Sequence, residues 1–244
     1  MKVASFLAPV LVCLVALPAW AHFIFIATRP NAAGKPAVHI LFGDDSIASE
    51  AKFLDNVAHT KVWAHEAGKP PVEVKLEKEI MGENGTWMGA TDVVGRAFTA
   101  NCEYGVTSRG GAEPSLLVYH AKHIDATDPA ALKSFARTEN LKLDIVPSFQ
   151  GEEGELQVLF DGKPAANAQV IIWTPDKYEK ETENFTDADG KVKFKANQKG
   201  LWQVRARHTN AVAGKKGDKE YKAEKHYCTL VLKNGEVKPE AAAK

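Results

Sequence analysis

The residues best equipped for chemistry are eight histidines: His22, His39, His59, His65, His120, His123, His208 and His226. A neutral imidazole offers one lone pair to a metal ion and one N–H to an acceptor. His22 has a second donor if the chain is cut before it. Lys2 makes a positive start, Val3 to Leu17 is almost wholly apolar, and Pro18 breaks the run. Ala19-Trp20-Ala21 then puts small residues at the −3 and −1 positions of a cleavage site. The pattern predicts a signal peptide over residues 1–21 and a periplasmic or secreted protein beginning at His22. The run is shorter than the ~20 residues of a spanning helix, so no membrane insertion is expected after cleavage. Cys13, between Val12 and Leu14, lacks the small residue that a lipoprotein site requires before it. Once freed, the His22 α-amine and imidazole can chelate one ion, and a second imidazole would complete a brace suited to copper. The alternative is that His22 merely follows the cut. Ile24 stands where the amino-terminal copper/nickel motif needs histidine.

The metal candidates are therefore His22 with partners drawn from His208, His226, His120 and His123. His208 ends one expected strand and His226 opens the next, so antiparallel pairing would bring them together. His120 and His123 are three apart and point to opposite faces of a strand. His59 and His65 share a face if the run is one strand, and are read as solvated or core. Imidazole suits nickel, cobalt, copper and zinc alike, which leaves the ion open. Cys102 and Cys228 form a possible disulfide in an oxidising compartment, with two buried thiols or a soft-metal pair as alternatives. Asp187-Ala188-Asp189-Gly190 resembles part of a calcium loop, but Lys191 follows and no EF helix precedes it, so a turn is expected. Asp44-Asp45 also reads as a turn. Trp63, Trp87, Trp173 and Trp202 alternate with aliphatics and read as core rather than a sugar platform. HExxH, GxSxG, Walker A and GxGxxG are all absent from the sequence, and the chain is expected not to be an enzyme.

Short β-prone runs recur between turn residues along the chain. The expected strands include His22–Thr28, Pro36–Phe42, Thr60–Glu66, Ala97–Thr107, Leu116–Ile124, Leu141–Phe149, Ala168–Trp173, Gly200–His208 and His226–Leu232. Ser46–Val57 reads as a short helix or ordered loop, and Asp128-Pro129 as a helix start running through Phe135. Thr209–Asp218 reads as a mobile loop. The fold class is all-β: two β-sandwich, immunoglobulin-like units with one or two short helices in the first. Their expected limits are 22–150 and 151–233, with a flexible tail over 234–244. Removing the first 21 of 244 residues costs only Lys2 among the charged groups, leaving 30 basic against 31 acidic. So neutral a chain has no general attraction for nucleic acid, and none is expected as a partner.

GKPAANAQVIIWTPD and TDADGKVKFKANQKGLWQVRARH resemble the immunoglobulin-like, transthyretin-like or carboxypeptidase-regulatory-like domains of exported bacterial proteins. With AHFIF, CEYGVTSRGG, LLVYHAK and HYCTLVL, the mature chain resembles the periplasmic component family associated with ABC-type cobalt and nickel uptake (NikM-like). The resemblance places His22 within AHFIF, and His208 and His226 within QVRARH and KHYCTL. It implies binding of nickel or cobalt for uptake or delivery to a membrane permease, whereas the terminal His22 by itself points to copper. Two other readings stay open: a non-catalytic structural or interaction module, and a copper-dependent oxidase using His22.

Overall fold

The computed structural model describes residues 22–31, 33–91, 97–108, 110–125, 129–175 and 182–234. The expected signal peptide and the tail beyond 234 lie outside the described residues. In chain order the strands are β1 (Phe23–Pro30), β2 (Pro36–Gly43), β3 (Lys61–His65), β4 (Val72–Val74), β5 (Glu77–Met81), β6 (Asn84–Ala90), β7 (Ala97–Thr107), β8 (Ser115–Ile124) and β9 (Leu143–Gln150). They continue as β10 (Glu153–Phe160), β11 (Lys163–Pro164), β12 (Gln169–Trp173), β13 (Thr182–Phe185), β14 (Lys191–Lys195), β15 (Gly200–Asn210), β16 (Gly214–Lys216), β17 (Lys219–Tyr221) and β18 (Ala223–Asn234). A 3-10 helix covers Ala51–Val57 and a short helix, α1, covers Pro129–Phe135. The class is the expected all-β, sandwich-like one.

Eight strands form the central sheet, in the order β13-β12-β15-β18-β8-β7-β3-β4. Its two faces are told apart by residue parity. On β18, Tyr227 and Val231 belong to one core, whereas Cys228, Leu230 and Leu232 belong to the other. On β8, Leu117, Tyr119 and Ala121 join the first core and Ile124 the second. The sheet β1-β2-β6-β5 covers the first face, packing Phe23 to Ile26 and Phe42 against it. The strands β9, β10, β11 and β14 cover the second, packing Leu143, Ile145, Leu156 and Val158 against Trp202, Val204 and Leu230. The molecule is thus three β layers in which both sandwiches use the middle one. Strands buried on both faces need apolar side chains in succession rather than alternation. The run Leu230-Val231-Leu232, all nearly solvent-free, meets that need.

The two expected units are therefore not separable sheet pairs. β9 and β10 pair antiparallel from Gln150 with Glu153 to Leu143 with Phe160, directly across the expected limit at 150–151. β18, from the second unit, pairs parallel with β8, from the first. Two further expectations are corrected. The polar stretch Thr209–Asp218 contributes the end of β15 and most of a hairpin, β16-β17, because Gly217 at φ +56° supplies its turn. Cys102 and Cys228 are both buried and free. No disulfide joins them, since Cys102 packs in the first core and Cys228 in the second, on opposite faces of the sheet.

One ion pair is sealed inside the second face. Lys122 of β8, with no solvent exposure, bonds to Asp144 of β9. Its Nζ also donates to the Ala136 carbonyl at 2.6 Å and the Ile145 carbonyl at 2.9 Å. Asp144 Oδ2 accepts from the Thr138 amide at 2.9 Å. All three ammonium protons are placed, and the pair ties β8, β9 and the segment after α1 together. Removing one partner strands the other charge in the core, which typically costs about 3–5 kcal/mol. Lys122→Met should lower unfolding free energy by that order in denaturant titration, whereas Lys195→Met, at an exposed ion pair, should leave the unfolding midpoint nearly unchanged.

Candidate functional site

The second face of the central sheet carries a row of polar side chains. Cross-strand register sets Asn101 opposite His120, and His226 opposite His208. His120 lies on the diagonal from His226, because β18 and β8 run parallel with His226 beside Val118 and Cys228 beside His120. The two rings meet. His120 Nε2 is 3.2 Å from His226 Nδ1, and the residues are 3% and 1% exposed. Phe160, at the end of β10, packs on the rings of both His208 and His226 with centroids 4.6 and 4.9 Å away.

The outer nitrogens of the pair are also engaged. His226 Nε2 is 3.1 Å from Glu224 Oε2, and His120 Nδ1 is 2.6 Å from Asn101 Oδ1. Burial raises the Glu224 carboxyl, but hydrogen bonds from His226, Lys142 and Asn210 outweigh it and hold the group at about 2. Glu224 is therefore a carboxylate and His226 Nε2 must carry a proton to donate to it. Asn101 Nδ2 donates to the Asn140 carbonyl at 2.8 Å, which fixes Oδ1 as the end that faces His120. His120 Nδ1 must then carry the proton. In a neutral imidazole the remaining nitrogen is a bare acceptor. Both bare nitrogens, His120 Nε2 and His226 Nδ1, are the two that face each other.

Two lone pairs at this distance repel unless something positive lies between them. A proton is disfavoured: burial first, then the charges of His226 and Lys142, lower His120 to about 3. Burial also lowers His226, against the raising effect of Glu224. The geometry is also the arrangement that orients metal-binding histidines, in which each ring's far N–H is anchored by an oxygen. The network runs on beyond the pair. Asn140 Nδ2 donates to Thr99 Oγ1 at 2.7 Å, and Thr99 Oγ1 is 2.7 Å from His65 Nε2. Asn140 lines two clefts, of about 540 and 500 Å³, on either side of the segment 137–142. Lys142 stands in the first cleft and His65 in the second.

The sequence candidates thus fall in three places. His120, His226 and His208 come together on the second face. His123 turns to the opposite face, where its Nε2 is 3.1 Å from Thr28 Oγ1 of β1. His22 precedes β1, between the rings of Phe42 and Phe53 at 5.5 and 4.8 Å, with Glu50 Oε1 4.0 Å from its Nε2. Six residues of strand, about 20 Å, separate it from Thr28. Among the described residues no group of three His, Cys, Asp or Glu side chains is placed to hold an ion. His59 and His65 do not share a face, because β3 starts only at Lys61. His59 instead reaches the Glu103 carbonyl at 2.9 Å. Asp187 Oδ1 accepts from the Asp189 and Lys191 amides, and Asp45 Oδ1 from the Ile47 amide, so both acidic stretches are turns.

Asn101, Lys142, Phe160 and Glu224 were not legible as site residues. Glu224-Lys225-His226 carried one usable signal, since i and i+2 on a strand share a face. Asn101, Lys142 and Phe160 had none.

A family model described as a domain of unknown function, DUF4198, matches residues 19–210. The match includes β1 to β15 and His120, and ends before β18 with Glu224 and His226. No curated protein matches the chain.

Buried neutral histidines set the acid limit of the fold. Burial, with Asp125 opposing and Lys233 adding to it, lowers His123 to about 4, beside His120 at about 3. In the unfolded chain both return to about 6.5. Below that pH the unfolded state binds more protons, so stability is intact above about 6.5 and is lost as pH falls toward 4, by up to about 1.4 kcal/mol per pH unit for each histidine. Denaturant titrations of the metal-free protein from pH 7.5 to 4.5 should show this slope, flattened by roughly one histidine's worth in His123→Leu. A flat profile in the wild type would contradict it.

Proposed function

The chain belongs to the DUF4198 family, matched over most of its length, and we propose that it is an exported, non-enzymatic protein that binds a transition-metal ion for uptake or delivery. One observation supports the reading above the others: two buried imidazoles have their proton-bearing nitrogens anchored by Asn101 and Glu224 and turn their bare nitrogens toward one point. The donor set fits such an ion, because imidazole nitrogen suits nickel, cobalt, copper and zinc. His208 faces His226 across β15 and β18, and Asn140, whose carbonyl holds Asn101, lines two clefts on the approach this reading gives the cargo. The ion is cargo on this reading, taken up by His120 and His226 and handed to a membrane permease or another carrier. The leader over residues 1–21 supports export, and the resemblance to cobalt and nickel uptake components supports the uptake role.

A role as structural or interaction module is the second reading, favoured by the lack of a three-ligand group among the described residues. An oxidase built on His22 is less well supported, since the side chains around that ring are Phe42, Phe53 and Glu50 rather than a second imidazole.

Nickel, cobalt and copper titrations of the processed protein should give one ion per chain with a dissociation constant well below millimolar. His226→Gln should weaken it by at least about tenfold. A copy with one glycine before His22 should bind as the processed protein does. Loss of binding only in the glycine-extended copy would move the site to the chain terminus. Absence of binding in every copy would leave the module.

A further inference from the structure

The geometry of the pair also selects among ions. The ring centroids of His120 and His226 are 5.5 Å apart and their planes are 8° from parallel. Their facing nitrogens are 3.2 Å apart. The difference is two ring radii, so both nitrogens lie on the line between the centroids and the rings meet edge to edge in one plane. The two lone pairs are collinear. Ligands of a tetrahedral ion must instead converge at an angle on a point beside that line. Turning either ring to achieve this would break its anchor, the Asn101 oxygen for His120 or the Glu224 carboxylate for His226. Opening the pair along its own axis breaks neither direction of bonding. Two metal–nitrogen bonds of about 2 Å need the nitrogens about 4 Å apart, an opening of about 0.8 Å.

Coordination number and charge point the same way. Nickel, cobalt and zinc ions take four to six ligands. The pair offers two: Phe160 packs on the His226 ring, and Cys228, beside His120 across the β18–β8 ladder, is kept a neutral thiol by burial. A buried charge must be balanced nearby. Glu224, the carboxylate bonded to His226, is already paired with Lys142 at 3.0 Å at the rim, so it does not fully offset a bound ion, and a monovalent ion leaves the smallest excess. A divalent ion would leave one more charge uncompensated in the core.

We infer that His120 Nε2 and His226 Nδ1 form a linear, two-coordinate site for a monovalent d10 ion, Cu(I), with Asn101 and Glu224 as positioning residues. The inference rests on the metal-binding reading of this same cluster and narrows its cargo.

The test is an anaerobic titration of the processed protein with Cu(I) against a chromophoric Cu(I) chelator, and with Ag(I) as a redox-silent probe. Parallel titrations use Ni(II), Co(II) and Zn(II). X-ray absorption of the Cu(I) form reads the coordination number on unmodified protein, so it needs no variant to fold. The expected result is one Cu(I) or Ag(I) per chain, two nitrogen scatterers, and preference over each divalent ion of at least a hundredfold. His120→Gln and His226→Gln should abolish that binding. Asn101→Leu should weaken it about 10- to 100-fold while the other positioning bond, at Glu224, remains. Three or more ligands, or tighter binding of a divalent ion at these histidines, overturns the inference and leaves the metal-binding reading standing. Cu(I) bound equally well in both glutamine variants also overturns it, moving the ion to another site. No binding of any ion overturns both, and the pair is then bridged by a proton alone.

Discussion

β18 enters the central sheet between β15, which it pairs antiparallel, and β8, which it pairs parallel, and most of the molecule depends on that insertion. Without it the sheet divides into β13-β12-β15 on one side and β8-β7-β3-β4 on the other. With it, one continuous surface serves both outer layers. Parallel neighbours require a long crossover rather than a tight hairpin, and here nearly a hundred residues of chain, including all of the second outer sheet, lie between the two strands. The second sandwich is thus built within the connection that the first sandwich needs.

The same pairing sets the chemistry. In a parallel ladder the residues facing one another on adjacent strands are offset rather than directly matched, and His120 and His226 meet on that diagonal. A one-residue slip of β18 would move His226 to the first face and bring Tyr227 into its place. Register is protected on both sides at once. Leu230 and Leu232 have to reach the second core, and Val231 and Tyr227 the first. A further lock is Thr229, whose hydroxyl donates to the Ile24 carbonyl of β1 at 2.7 Å. The histidine pair is held by strand packing, and its supporting shell by side chains from four separate stretches of chain.

The second face also shows why a buried polar row is tolerated. Lys122, two residues from His120 on the same face, finds a carboxylate and two carbonyls. Asn101 and Asn140 link the next positions, and Glu224 is reached by Lys142, Asn210 and His226. Each of these donors has an acceptor, which is what lets a polar network inside a protein specify structure, although Asn140 Oδ1 is buried without a donor. The facing nitrogens of His120 and His226 are a place where the row sets two acceptors against each other with no donor between them.

The residues that local pattern could place were those whose neighbours are close in sequence. The β class, the strands, the helix start at Pro129 and the 3-10 stretch before Val57 follow from turn residues and side-chain periodicity, which are local. So does the opposition of His120 and His123, a matter of strand parity, and the approach of His208 to His226, a matter of two consecutive long strands. Local pattern could not supply the parallel partner of β18, because nothing in AEKHYCTLVLKN says which of several apolar strands it will join. That choice is made by burial of both its faces. It alone put His120 rather than His22 beside His226, separated Cys102 from Cys228, and brought Asn101 and Glu224 to the outer nitrogens of the pair.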